Sequence, residues 1–159
     1  MKATLDDATR VSIAVYKPKI EIIQKVVADY YGVTLPSVRR HSRKGNPLRA
    51  RQRIHYFCRQ FLDHCPLHVI GYITGNGRAF DHATISHSSA KITREIAFKN
   101  KAGENVYPET VKEIEDLRRL ISYKLNMKYQ KRPFYECARR HRHGFHMRLI
   151  YKRSKLAKS

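Results

Sequence analysis

The chain has no tryptophan, only three cysteines among 159 residues, and only thirteen acidic side chains. Each scarcity excludes something. Cys58, Cys65 and Cys137 form neither an even disulfide framework nor a Cys-x-x-Cys pair, so they point to a reducing compartment and to no disulfide. The acidic residues are too few and too scattered for a two-metal nuclease, and the histidines have no nucleophile placed beside them, so no enzymatic activity is expected. No apolar run approaches the length of a membrane span, and Met1 to Asp7 has no signal-peptide core. No G-x-x-x-x-G-K-[ST] occurs, and a chain of this length has room for one core with an appendage but not for an ATPase module as well, so no nucleotide and no other cofactor is expected.

What is abundant is positive charge. Thirty-three Lys and Arg give a formal net charge of +20, far more than solubility requires and of the sign that attracts polyphosphate. Ribosomal, histone-like and membrane-surface proteins share that property, so charge alone names nucleic acid only as the leading partner.

Residues 1–18 have weak periodicity and end at Pro18, which reads as a loose N-terminal arm. From Lys19 the positions Ile20, Ile23, Val26, Val27, Tyr30 and Tyr31 recur at helical spacing, and Gly32 ends the helix. Thr34 caps a short turn anchored by Val38. Arg39 to Pro47 is basic and broken by Gly45, Asn46 and Pro47, so it reads as a loop. Helical period returns with Leu48, Ala50, Ile54, Phe57, Cys58, Phe61 and Leu62, with Arg49, Arg51, Gln52, Arg53 and Arg59 on or beside polar faces. Pro66 opens a short helix in which Gly71 allows another helix to come close.

Gly75 to Gly77 then supply a turn, and Asp81 stands where the N-cap of the next helix belongs, with small, polar and imidazole side chains on one face and Ile85, Ala90 and Ile92 on another. Two helices joined by a glycine-containing turn, the second opening on polar side chains, make a helix-turn-helix whose second member can read DNA with its first turn. Lys99 to Tyr107 reads as a connector. A further helix starts at Pro108 with the stripe Val111, Ile114, Leu117, Ile121 and Leu125. Beyond Pro133, period-two alternation at 145–152 fits a basic hairpin, and a helix over 133–140 fits nearly as well. Cys137, His141, His143 and His146 match no zinc-finger spacing and are crowded by arginines, so this segment reads as a basic ribbon or tail touching phosphates rather than a metal site.

Lys19 to Ile96 resembles the C-terminal DNA-binding domain of the bacterial replication initiator DnaA, a helix-turn-helix of the Trp-repressor type. The resemblance rests on Ile23 to Tyr31, Arg49-Ala50-Arg51-Gln52, Ile70-Gly71, and Gly77-Arg78 followed by Asp81 to His87. It implies that Arg43 enters the minor groove of an AT-rich box, that Arg51 and Gln52 meet the sugar-phosphate backbone, and that Arg59 occupies a basic position one face further along. It also implies that Asp81, His82, Ala83 and Thr84 meet base edges and thymine methyls. That chemistry fits: Asp accepts from cytosine N4, Ala and Thr methyls pack on the thymine methyl, and a minor-groove Arg responds to narrow AT-rich geometry. The chain departs from the family in one place within the motif: Ala79-Phe80 intervenes between Arg78 and Asp81 and lengthens the turn by two residues.

The resulting expectation is an all-α fold, with a multi-helix helix-turn-helix domain at 19–98 and residues 99–159 forming a C-terminal helix plus a basic tail or small β-hairpin. The function expected is sequence-specific binding of double-stranded DNA in replication initiation or its regulation, in the cytoplasm with the nucleoid, without ATPase activity and without a membrane. The DNA-facing set is Arg43, Lys44, Arg51, Gln52, Arg59, Arg78, Asp81, His82, Ala83, Thr84, His87 and Lys91. A DnaA-like transcriptional regulator and a non-specific DNA- or RNA-binding basic protein are the alternatives.

Overall fold

Six helices follow one another in the computed structural model, which describes residues 6–40, 42–76 and 79–126: α1 Asp7–Tyr31, α2 Leu35–Arg39, α3 Gly45–Phe61, α4 Leu67–Thr74, α5 His82–Ala97 and α6 Pro108–Lys124. All belong to one compact unit, Met1–Tyr129. Among the described residues there is no strand, only an isolated antiparallel bridge between Lys99 and Asn105, so this part of the chain is all-α. The core is built from Ile20, Ile23 and Val27 of α1, Ile54 and Phe57 of α3, Val69 and Ile70 of α4, Ile85 and Ile92 of α5, and Ile114, Leu117 and Ile121 of α6. The hairpin and the Cys137–His146 cluster expected near the C-terminus lie outside the described residues.

Two boundaries differ from the sequence reading. Residues 7–18 are not a loose arm, because α1 begins at Asp7 and runs straight through Pro18. The reason is tertiary: Thr9 is buried, Ile13 and Tyr16 are half-buried, and Ile20 and Ile23 continue the same face, while Thr9 Oγ1 lies 3.5 Å from His68 Nε2 on α4. Proline inside a helix removes one hydrogen bond and costs about 3 kcal/mol. Here Ala14, whose carbonyl loses its donor, and Pro18 both face solvent. The second difference is α3, which starts at Gly45 rather than after Pro47. Proline is tolerated in a first turn because the amide it lacks has no helical partner there.

Where the chain signals its own punctuation, the structure follows. Gly32 takes the left-handed conformation at φ 61° and ends α1, and the Thr34 side chain accepts the Ser37 amide at 3.4 Å to cap α2. The connector after α5 is a tight turn around Gly103, at φ 83°. Asn105 Nδ2 donates to the Ile96 carbonyl at 2.5 Å and so caps the end of α5.

Helix α6 belongs to the same body as the helix-turn-helix rather than to a separate C-terminal piece. Glu113 accepts from Arg53 Nε of α3 at 2.7 Å and from the Tyr31 hydroxyl of α1. Arg118 Nη2 donates to Tyr56 Oη at 3.4 Å. Arg53, read from its period as lying on or beside a polar face, is instead buried, with 4% of its side chain exposed.

Candidate nucleic-acid interface

The turn between α4 and α5 is fixed from beneath. Gly71, inside α4, makes room for the backbone of the turn and for Ile85 of the approaching α5. A Cβ built there would sit 2.2 Å from the Phe80 carbonyl oxygen and 3.3 Å from Ile85 Cδ1. The Phe80 amide donates to the Gly71 carbonyl at 3.2 Å, and the ring is only 3% exposed. The two-residue lengthening at Ala79-Phe80 is therefore anchored in the core.

Beyond that anchor the chain emerges into solvent. Asp81, His82, Ala83, Thr84 and His87 are all exposed, whereas Ile85, Ser88, Ser89 and Ile92 of the same helix are buried. Asp81 has the extended backbone of an N-cap but makes no side-chain cap. Its carboxylate instead faces His82 Nδ1 at 2.9 Å. The exposed start of α5 therefore presents a carboxylate acceptor and an imidazole side by side. Arg78 lies outside the described residues.

The basic loop is short and braced. Ser42 Oγ donates to the Lys44 carbonyl at 3.2 Å and accepts the Lys44 amide at 3.4 Å, leaving Arg43 and Lys44 exposed. Arg51 does not point at solvent, as a backbone-contacting residue of α3 would. It is 7% exposed, its Nη1 donates to the carbonyls of Val38 at 3.3 Å and Arg40 at 2.5 Å, and its Nη2 donates to that of Ser42 at 2.5 Å. Its guanidinium also lies 5.1 Å from the centre of the Phe80 ring. Facing carbonyls and an aromatic ring, this cation satisfies its desolvated donors internally, which helical periodicity alone does not reveal.

The remaining residues divide. Gln52 is half-buried and Arg49, five residues after Lys44, is exposed. Arg59 is half-buried in the last turn of α3, about 12 Å further along the axis than Arg51 at 1.5 Å per residue. Lys91 is half-buried, with its ammonium 3.9 Å from Glu95. Arg43 and Lys44 thus lie together on the loop, the α5 first turn is a second exposed group, and Arg59 lies in the last turn of α3.

A buried polar chain holds α5 on α3 and α4. His55 is fully buried; its Nδ1 lies 3.5 Å from Ser88 Oγ and its Nε2 3.4 Å from Thr74 Oγ1, while Gln24 Nε2 donates to the Thr74 carbonyl at 3.5 Å. Burial, and secondarily the nearby Arg51 charge, pushes the His55 pKa down to about 3. An unfolded histidine titrates near 6.5. Between these values the unfolded chain binds a proton that the folded one refuses, so the stability is fully present above about pH 6.5 and is lost as pH falls towards 3. Relative to His55→Gln, the natural protein should lose about 2 kcal/mol on going from pH 6.5 to 5. Paired thermal melts check this, and a pH-independent gap between the two proteins would contradict it.

Among the described residues no group of His, Cys, Asp and Glu is placed to hold a metal ion, and no helix is long and apolar enough to cross a membrane. Residues 20–92 match the family described as the bacterial dnaA protein helix-turn-helix. The chain is also similar to the chromosomal replication initiator protein DnaA of Spiroplasma citri, 37% identical over 75 residues, which is 47% of this chain and 16% of that relative. No solved structure matches. The matched segment takes in the end of α1, the basic loop, Arg51, Gly71 and the exposed first turn of α5, so residues 20–92 are similar to the bacterial dnaA protein helix-turn-helix.

Proposed function

We propose that this protein binds double-stranded DNA sequence-specifically, in replication initiation or its regulation at DnaA-box-like sites and in association with the nucleoid, as a binding protein that uses neither ATP nor a catalytic centre of its own. The observation that carries the reading is the division of α5: its buried half is packed and its first turn, Asp81 to Thr84, is exposed on a firmly anchored support. In the major groove, Asp81 accepts from cytosine N4, His82 meets a base edge, and the methyls of Ala83 and Thr84 meet thymine. Arg43 enters the adjacent minor groove, and Lys44, Arg49, Gln52 and Arg59 meet phosphates, with His87 and Lys91 further along α5 and Arg78 before it. Arg51 supports the loop rather than touching the duplex. The remaining positive charge, out of a net +20, adds sequence-independent affinity with steep salt dependence.

Selection of duplexes bound by the full chain from a random pool, followed by isotherms on the selected duplex and a scrambled one at matched salt, tests the reading. His82→Ala and Arg43→Ala should each reduce discrimination by about 1 to 3 kcal/mol, whereas Arg59→Ala should weaken both duplexes alike. Equal affinities for the two duplexes would overturn sequence-specific binding in favour of a non-specific basic protein.

A further inference from the structure

We propose that Arg51 and Phe80 form one joint that fixes the position of the basic loop relative to the first turn of α5, making these two residues the determinants of register between the two DNA-reading elements. The inference rests on the DNA-binding reading above. It deepens it by assigning a role to two residues that need not touch DNA.

The loop residues have few anchors of their own. Between α2 and α3, the Arg40 amide donates to the Pro36 carbonyl, and Ser42 and Lys44 brace each other. The carbonyls of Val38, Arg40 and Ser42 converge on the one guanidinium. The planar fork spreads these three bonds over Nη1 and Nη2; an ammonium radiates its three donors from a single atom on a flexible stem and does not reproduce that geometry.

On its other side that guanidinium meets Phe80. The ring also stands edge-on to His55, with centroids 5.4 Å apart, and its own backbone is held against Gly71. Phe80 immediately precedes Asp81, so its position sets where the first turn of α5 begins. The path from Ser42 to Asp81 therefore runs through two side chains with almost no freedom, because Arg51 is 7% and Phe80 3% exposed. A shift of either moves the loop and the helix start relative to each other, whereas a change at Arg43 or His82 touches one element only.

The test uses Arg51→Lys, which keeps the charge but loses the fork, and Phe80→Leu, which keeps an apolar plug but loses the ring face, with Phe80→Tyr as the conservative control. Thermal melts establish that each variant folds. Affinities are then read on the pool-selected duplex and on its derivatives substituted at one base pair at a time. Arg51→Lys and Phe80→Leu should reduce discrimination at the minor-groove and major-groove ends together, by about 10-fold at each, while Phe80→Tyr retains it. Arg43→Ala should flatten the minor-groove end alone, and its combination with Phe80→Leu should be non-additive.

Hydrogen exchange supplies a readout that needs no DNA: Phe80→Leu should accelerate exchange of the Lys44 amide, which donates to Ser42 Oγ on the loop. Unchanged loop exchange in Phe80→Leu, or a loss of discrimination confined to one end, overturns the joint. Accelerated exchange together with a flat base-pair profile in the unsubstituted protein leaves the mechanical link standing and overturns sequence-specific reading instead.

Discussion

Gly71→Ala is expected to lower the melting temperature by more than about 10 °C. The added Cβ would lie 2.2 Å from the Phe80 carbonyl oxygen and 3.2 Å from its carbon. These are backbone atoms, so no rotamer change relieves the overlap; either α4 shifts or the turn lifts away. Lifting the turn withdraws Phe80 from beneath Arg51 and breaks the 3.2 Å bond from its amide to the Gly71 carbonyl. Overpacking of this kind costs about 1 to 3 kcal/mol, and the lost bond and aromatic contact add to it, for about 3 to 4 kcal/mol in all. For a domain of this size each kcal/mol corresponds to about 3 to 5 °C. Calorimetry checks the shift, and a fall of less than about 3 °C would mean that the turn can move at little cost.

Glu113→Ala is expected to cost about 3 to 5 kcal/mol, from a different cause. Glu113 stands between the Arg53 guanidinium and the Tyr31 hydroxyl, with 17% of its side chain exposed against 4% for Arg53. Burial and the adjoining carboxylate raise the Tyr31 pKa and keep the phenol a neutral donor. Removing the carboxylate leaves a desolvated cation and an unsatisfied hydroxyl, which costs more than the ion pair itself contributes. The combination Arg53→Met, Glu113→Leu and Tyr31→Phe, which removes all three polar ends, should therefore recover most of the loss. Urea titrations of the two proteins make the comparison. If the triple variant is no more stable than Glu113→Ala, then the interaction, and not the stranded partners, carries the energy.

How far the fold could be read in advance depended on whether local pattern and tertiary packing agreed. They agree in α5 and α6, where apolar residues at helical spacing became the buried faces, and at Gly32 and Thr34, whose left-handed backbone and side-chain cap act locally. They disagree at Pro18, where a local breaker is outweighed by a face running from Thr9 to Ile23 that packs on other helices. The exposed first turn of α5 was legible because polar residues before an apolar run have one common explanation.

Arg51 and Arg53 were misplaced for a physical reason. A guanidinium reads as polar in any pattern, and only the folded chain brings together the carbonyls and the carboxylate that make its burial favourable. Phe80 left a signal of its own: a large apolar side chain inside a turn of glycine, asparagine, arginine and aspartate has little reason to be there unless it is buried.

That phenylalanine also sets out how this scaffold could be retargeted. Residues 81–84 project from a base whose position is fixed by contacts they do not make, so a combinatorial library could vary all four while Gly71, Phe80 and Arg51 are held constant. Selecting new binding preferences and preserving foldability then become separate problems, handled by different sets of residues.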